Sequence, residues 1–228
     1  MLIHPWDAAL DDTEWRDFLS AGHDFGQLIA AGRGRDIPVV VPTHFVLDRE
    51  SDGEPDGEPD REPDGAHRIV LHLARPNPVW QAIEENPTVL LAVVGDYTYV
   101  PTGWNASPGT PAEAGVPTSY YAAVQLACRA EVVDDPEAKA SVLRRQLAHF
   151  QPEGGHADVT AGEPPYGRLL SGIRGIVLTV TGARAKFKYG GNKAADHRRV
   201  IAGRLAERMG PHDAPARQHL LRRLEAGG

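Results

Sequence analysis

Two places in the sequence put potentially reactive side chains at regular spacing on a strand. His72 lies in the stretch Arg68–Ala74, where residues two apart share a face, so its imidazole points to one side only. A neutral imidazole there could bind a metal ion, and a hydrogen-bonded structural histidine is the alternative. Lys186 and Lys188 share one face of a later stretch, with Phe187 on the other, which indicates an anion site or a solvated edge strand.

The sequence patterns of the common catalytic classes are absent. There is no P-loop, no Gly-x-Ser-x-Gly elbow, no His-Glu-x-x-His motif and no closely spaced His/Asp/Glu group with the spacing of a metal cluster. Cys128 is the only cysteine, which excludes an intramolecular disulfide and a cysteine zinc site and fits a reducing compartment. Any chemistry is therefore expected to come from a cofactor.

Charge and hydropathy exclude further classes of function. The formal net charge is −7, and the stretch from Glu50 to Asp64 carries all of it, with eight acidic residues and one arginine. The neutral remainder gives no electrostatic footprint for nucleic acid. The N-terminus does not resemble a signal peptide, and no apolar stretch approaches the ~20 residues of a membrane span. We therefore expect a cytoplasmic protein with neither a nucleic-acid nor a membrane partner.

Strands predominate among the elements that must position these side chains. The predicted strands cover residues 27–30, 37–41, 43–47, 68–74, 88–94 with an extension over 97–100, 119–133, 173–180 and 185–189; the predicted helices cover 14–19, 79–85, 135–150, 196–209 and 214–224. The almost wholly apolar run at 88–94 predicts a buried central strand. This order of elements indicates an α+β fold around an antiparallel barrel.

We expect one domain over residues 1–195 and a C-terminal helical segment over 196–228. A four-residue acidic repeat with proline in every unit fills the region at about 50–66. Because such a segment cannot bury a core and repels itself, it predicts a disordered loop between two strands.

The segment His72–Trp80 reads His-Leu-Ala-Arg-Pro-Asn-Pro-Val-Trp. It resembles the signature His-x-Ala-Arg-x-Asn-Pro-x-Trp of the PaiB-type family of FMN-binding negative transcriptional regulators. The resemblance runs from about Asp7 to Leu205 and includes three further motifs, at 95–101, at 116–118, and at 186–188 with 192–193. It implies an antiparallel split β-barrel with flanking helices, which dimerises and binds its cofactor at the subunit interface.

Three of the four cofactor-facing segments depart from the flavin-type pattern. Residues 119–121 read Ser-Tyr-Tyr where flavin-type members have Trp-Asn-Tyr, and residues 188–192 read Lys-Tyr-Gly-Gly-Asn in place of Lys-Leu-Ser-Gln-Asn. The stretch at 117–125 is similar to the piperazate synthase branch of the family. That resemblance implies haem b as the cofactor, with FMN as the alternative, and closure of L-N5-hydroxyornithine into L-piperazic acid by N–N bond formation.

The resemblance also implies roles for single residues around the signature. It makes His72 the candidate axial ligand of the iron, with His44 as the second candidate. Arg75 could pair with a haem propionate or a substrate carboxylate, and a surface ion pair is the alternative. Trp80 could contact the cofactor or lie in the core. Asn77 favours a cap of the following helix over a ligand contact.

The remaining candidates lie near the two lysines. Lys186 and Asn192 are expected to bind the cofactor, and Lys188 and Tyr120 are the candidate catalytic residues, one of which would take a proton from the substrate amine. Tyr120 and Tyr121 lie on opposite faces of a strand, so only one can face the cofactor. The other functions considered are an FMN-binding regulator and a protein that stores or degrades haem. The sequence has no helix-turn-helix signal, which counts against the regulator.

Overall fold

Seven strands form one antiparallel sheet in the part of the chain that the structure, a computed structural model, describes: residues 1–48 and 67–226. The strands are β1 Phe25–Ala30, β2 Val39–His44, β3 Val46–Asp48, β4 Arg68–Ala74, β5 Thr88–Val100, β6 Thr118–Val133 and β7 Ile173–Lys188. Their order across the sheet is β2-β1-β5-β6-β7-β4-β3. The acidic segment predicted as a loop at about 50–66 lies outside the described residues.

Helices flank the sheet, as the α+β prediction requires. They are α1 Glu14–Ser20, α2 Val79–Glu85, α3 Thr102–Asn105, α4 Pro136–Phe150, α5 Tyr166–Leu169, α6 Ala195–Arg208 and α7 Asp213–Glu225. Asn77 lies just before α2, and its Oδ1 accepts a hydrogen bond from the Val79 amide at 3.0 Å, as expected of a residue that satisfies the start of a helix. None of the helices in the described ranges combines the length and apolar character that crossing a bilayer requires.

Two sequence-based predictions about the strands are wrong, one on the extent of β7 and one on the burial of residues 88–94. β7 continues without a break where two strands were predicted, at 173–180 and 185–189. The run at 88–94 is not buried throughout: Val89, Leu91 and Val93 are buried, whereas Val94 is 63% exposed. An antiparallel strand can have one face in the core and the other outside it, so an apolar run does not by itself mean burial on both faces.

Contacts divide the chain into two compact units, each built from separated segments. The first comprises Met1–His23, Val93–Val124 and Arg184–Gly228, and the second comprises Asp24–Ala92 and Gln125–Ala183. The predicted boundary at residue 195 stays a prediction.

Strand β4 and the first part of β7 pair in the second unit. His72 lies opposite Gly175, and Val70 lies opposite Val177. Val70 packs with Val46 and Val142 in a buried cluster, so α4 covers this part of the sheet. A side chain at Gly175 would press on Val133 and Val142, with the closest approach at 3.2 Å. The sheet and α4 therefore fix the backbone that carries His72.

Candidate functional site

His72 lies on β4 in the second unit, and its ring has one defined partner. Its Nδ1 atom is 2.5 Å from Oε1 of Gln146, a buried residue of α4. An amide oxygen only accepts hydrogen bonds, so Nδ1 carries the proton in this arrangement. The neutral imidazole then has its lone pair on Nε2, which is the form that binds a metal ion.

Arg75 and Trp80 have structural partners in the same unit. The Arg75 guanidinium donates to both carboxylate oxygens of Asp134, at 2.5 and 3.2 Å, and to the Ser171 carbonyl at 2.7 Å. The indole of Trp80 is buried and donates to the Ala74 carbonyl at 2.9 Å. The Arg174 guanidinium lies over its ring, 5.0 Å from the ring centroid. These contacts match the surface ion pair and the core position given as alternatives, while the predicted cofactor roles of both residues stay predictions.

His44, the second candidate ligand, lies on the exposed side of β2. Its Nδ1 is 3.9 Å from Asp24, which also accepts a hydrogen bond from His149 at 2.8 Å. Its ring makes edge contacts with Phe25 and Phe150, at 4.8 and 4.9 Å between ring centroids. This surface position gives no partner that fixes a tautomer as Gln146 does for His72.

The other four predicted site residues meet in the first unit. Tyr120, Lys186, Lys188 and Asn192 line one cavity of about 400 Å³. That volume lies within the range of small-molecule sites in proteins. The remaining lining comes from the N-terminal segment, the end of α3, the residues that lead into β6 and the residue after Tyr189: His4, Trp6, Asp7, Asn105, Val116, Pro117, Thr118 and Gly190.

The two lysines differ in what surrounds their ammonium groups. Lys188 donates to the Thr118 hydroxyl at 2.7 Å. Lys186 donates to the Leu2 carbonyl at 3.0 Å and lies 3.9 Å from the Asp7 carboxylate. Both ammonium groups also lie within 6 Å of the Tyr121 ring, at 5.6 and 5.8 Å from its centroid. The cavity therefore holds two cations but one buried anion.

Tyr120 is buried, with 1% of its surface exposed, and its hydroxyl has no hydrogen-bond partner among the described residues. Burial raises its pKa to about 12, so the phenol keeps its proton near neutral pH. Gly190 permits this position: it has a φ of 71°, and a Cβ there would come within 2.3 Å of the Tyr120 hydroxyl. The buried position of the Tyr120 hydroxyl therefore depends on the absence of a side chain at Gly190.

Sequence reasoning missed two residues of this cavity. Asp7 ends a short 3-10 turn at Pro5–Asp7, is 3% exposed, and burial raises the pKa of its carboxyl against the opposing effect of Lys186. Asn105 ends α3 and has a buried Oδ1 without a partner among the described residues. Neither lies near Lys188 in the sequence, and no local pattern marks them.

A second unpredicted cluster lies in the same unit, where Asp96 bridges two histidines. His23 Nε2 lies 3.0 Å from Oδ1 and His219 Nε2 lies 2.7 Å from Oδ2. Burial alone would raise the pKa of Asp96, but the hydrogen bonds from His219 and His23 outweigh it and hold that pKa well below its usual range. Asp96 lies within β5 with a φ of 50°, and a Cβ on the neighbouring Gly95 would lie 2.4 Å from the His23 ring, so this close approach needs glycine at position 95.

The cluster around Asp96 is not a metal site. In the ranges 1–48 and 67–226, no group of three or more His, Cys, Asp or Glu residues could hold a metal ion. Asp96 instead ties α7 and the end of the α1 region to β5, and α7 is further held by Asp213, which pairs with Arg208 at 2.5 Å.

Comparison with solved structures supports the split-barrel fold. The flavocytochrome Anf3 from Azotobacter vinelandii is 20% identical with a TM-score of 0.56, and the match covers 81% of this chain and 71% of that one. An FAD and haem binding protein from Mycobacterium smegmatis is 17% identical with a TM-score of 0.55, covering 86% and 80%. The fold is the predicted split barrel with flanking helices.

Sequence comparison identifies the family. No curated protein matches the chain. The family model described as "Putative FMN-binding domain" matches residues 1–182, which include β1 to β6 and most of β7. The chain therefore belongs to this FMN-binding domain family.

Proposed function

We propose that the protein is a haem-dependent enzyme that closes L-N5-hydroxyornithine into L-piperazic acid, with His72 as the axial ligand of haem b. The observation that carries the proposal is the hydrogen bond between His72 Nδ1 and Gln146. It leaves the Nε2 lone pair as the donor, and a second partner on the other ring nitrogen is usual for histidines that bind metals. The names of the flavocytochrome and of the FAD and haem binding protein, which have a similar fold, refer to both flavin and haem, so both cofactors are candidates here.

The departures from the flavin pattern are the sequence feature that favours haem over FMN, and two of them are physically coupled. Tyr120 stands where flavin-type members have asparagine, and Gly190 stands where they have serine. A side chain at Gly190 would collide with the Tyr120 hydroxyl, so the two departures need each other. The family description favours FMN, which remains the second candidate, as a flavin-binding protein or regulator.

The proposed reaction is balanced without an external oxidant or reductant. The N5–O bond breaks, a bond forms between N5 and the α-nitrogen, the α-amine loses a proton, and the hydroxyl leaves as water. Haem iron, when bound, would supply a Lewis acid that polarises the N–O bond. The protein would contribute a site that holds the two nitrogens near each other.

The chain offers three groups for the proton transfer. Tyr120 retains its proton near neutral pH, so it is suited to donate a hydrogen bond and not to act as the base. Lys188 is the base candidate from the sequence. Asp7 lines the same cavity, and its raised pKa makes it a stronger base than an exposed aspartate. A homodimer, as the resemblance implies, completes the proposal.

The test is to purify the full chain with haem supplied and to incubate it with L-N5-hydroxyornithine. We expect a protein with a haem Soret band that forms L-piperazic acid, detected by mass spectrometry, in an amount that scales with haem content. Light scattering on the same sample should give the mass of a dimer. A yellow protein that releases FMN on heating and forms no cyclic hydrazine would replace this proposal with the flavin alternative.

A further inference from the structure

The cavity that contains the two lysines also contains two polar atoms without partners. Among the described residues, neither the Tyr120 hydroxyl nor Oδ1 of Asn105 has a hydrogen-bond partner, and both atoms are buried. Both residues line the same cavity of about 400 Å³. Buried polar groups in proteins are nearly always paired, so two unpaired atoms at one cavity indicate that a ligand completes them.

The orientation of the Asn105 amide is fixed by its other end. Its Nδ2 donates a hydrogen bond to the Val116 carbonyl. A carbonyl oxygen only accepts hydrogen bonds, so the amide nitrogen must face Val116 and Oδ1 must face away from it. Oδ1 is itself only an acceptor, and its missing partner must therefore carry an N–H or O–H group.

The charge of the cavity defines the other end of the ligand. The Asp7 carboxylate lies beside Lys186. No carboxylate of the described residues is close enough to form an ion pair with Lys188, whose known partner is the neutral Thr118 hydroxyl. An ammonium has three donors, so Lys188 retains donors for an anion. The Tyr120 hydroxyl, which stays protonated, can donate to the same ligand.

We propose that this cavity binds a small carboxylic acid that also carries an N–H donor, with the carboxylate on Lys188, the N–H on Oδ1 of Asn105 and a further hydrogen bond from Tyr120. The assignment rests on the proposed function, whose substrate it would hold, and makes Asn105 the residue that selects amino acids over plain carboxylic acids. Lys188 then binds the carboxylate, and Asp7 is left as the base in the same cavity.

The test is calorimetric titration of the haem-free full chain with four probes: L-ornithine, 5-aminopentanoate, pentanoate and putrescine. We expect L-ornithine and 5-aminopentanoate to bind at least about tenfold more tightly than pentanoate, which lacks the N–H donor, and than putrescine, which lacks the carboxylate. No binding of L-ornithine up to about 10 mM, or equal binding of pentanoate and 5-aminopentanoate, overturns the proposal.

Variants connect the selectivity to single atoms. Asn105→Ala should abolish the preference for 5-aminopentanoate over pentanoate, and Lys188→Met should weaken both acids about tenfold or more, whereas Arg129→Met, which removes an exposed cation elsewhere, should change neither. Tyr120→Phe removes only the unpaired hydroxyl, so it should weaken L-ornithine binding without lowering the melting temperature. An unchanged preference in Asn105→Ala, or unchanged binding in Tyr120→Phe, contradicts the assignment.

The outcome is separable from that of the proposed function. Binding to the haem-free chain does not require His72 or any cofactor, so selective binding of L-ornithine by a protein that takes up no haem would leave this inference standing and remove the enzyme proposal. A haem protein with no selectivity among the four probes would do the reverse.

Discussion

The Nδ1 atom of His72 lies 2.5 Å from Oε1 of Gln146, which joins a strand residue to a helix residue 74 positions further along the chain. The contact fixes which ring nitrogen carries the proton and in which direction the other nitrogen points. If His72 binds iron, Gln146 is the residue that orients the ligand.

Replacing Gln146 tests that role. We expect Gln146→Leu, which keeps the volume but removes the acceptor, to weaken haem binding by about 10–100-fold, since second partners of metal ligands have effects of that size. Gln146→Glu keeps an acceptor and should retain haem with a lower reduction potential. Titration of the haem-free protein with haem measures both, and Gln81→Leu, at an exposed position of α2, is the control. Equal affinity in Gln146→Leu would show that the contact is only structural.

Arg75 separates a cofactor role from a structural one. Its ion pair with Asp134 is exposed, with both side chains at 44%, so solvent screens the pair and it contributes little to stability. We expect Arg75→Gln to change the melting temperature little but to weaken haem binding if the guanidinium also binds a propionate. Arg144→Gln, which breaks the comparable exposed pair with Glu137, should leave haem binding unchanged. A wild-type haem affinity in Arg75→Gln would assign Arg75 to the ion pair alone.

Asp7 should control the acid limb of the pH–rate profile. A base acts in its ionised form, so kcat should fall as the pH decreases and Asp7 becomes protonated. Because burial raises the pKa of Asp7, the midpoint of this fall should lie above about 3.9, the ordinary aspartate pKa. Asp7→Asn should lower kcat by about 10²-fold and remove that limb, whereas the exposed Asp12→Asn should not.

The stability of Asp7→Asn gives an independent readout. A raised folded pKa means that folding favours the protonated form, so this stabilisation is present at low pH and is lost as pH rises through the folded pKa. The neutral asparagine should therefore be at least as stable as aspartate at pH 7, as measured by urea unfolding. A variant that keeps full activity, or that loses activity only because it unfolds, contradicts the assignment.

Asp96 should stabilise the protein in the opposite pH range. Its folded pKa lies below the ordinary value, so its contribution is present above about pH 4 and is lost as pH falls towards the folded pKa. Asp96→Asn should cost about 3 kcal/mol of unfolding free energy at pH 7, because it removes the negative charge and replaces one of the two oxygens that accept from His23 and His219 with an NH2 donor. Urea unfolding from pH 7 to pH 3 should show this difference shrinking. A constant difference would argue against a lowered pKa, and Asp17→Asn is the surface control.

Local sequence patterns predicted most strands and helices, and the family resemblance named four residues that line the cavity. Neither predicted which side chains contact each other. Asn77 before Pro78, and the alternation at 68–74, are short-range signals, and α2 and β4 appear with the predicted bounds. The partner of His72, by contrast, lies in α4, and Asp7 reaches Lys186 across most of the chain. Such contacts depend on how the elements pack, which the spacing of residues in one segment does not encode.

Two features of the cavity depend on packing that the sequence motifs do not reveal. The sequence shows Tyr120 and Gly190 as separate departures from a family motif, and only the structure shows that one makes room for the other. The sequence also leaves open which of Tyr120 and Tyr121 is buried; β6 buries Tyr120 and leaves Tyr121 partly exposed beside the lysines.

The most direct test of the central claim is the optical and electron paramagnetic resonance spectrum of haem-loaded His72→Ala. We expect lower haem affinity and a shifted Soret band, with the wild-type spectrum restored by added imidazole, and we expect His44→Ala to retain the wild-type spectrum. Full haem loading with an unchanged spectrum in His72→Ala would contradict the account. Loss of the wild-type spectrum in His44→Ala instead would identify His44 as the iron ligand.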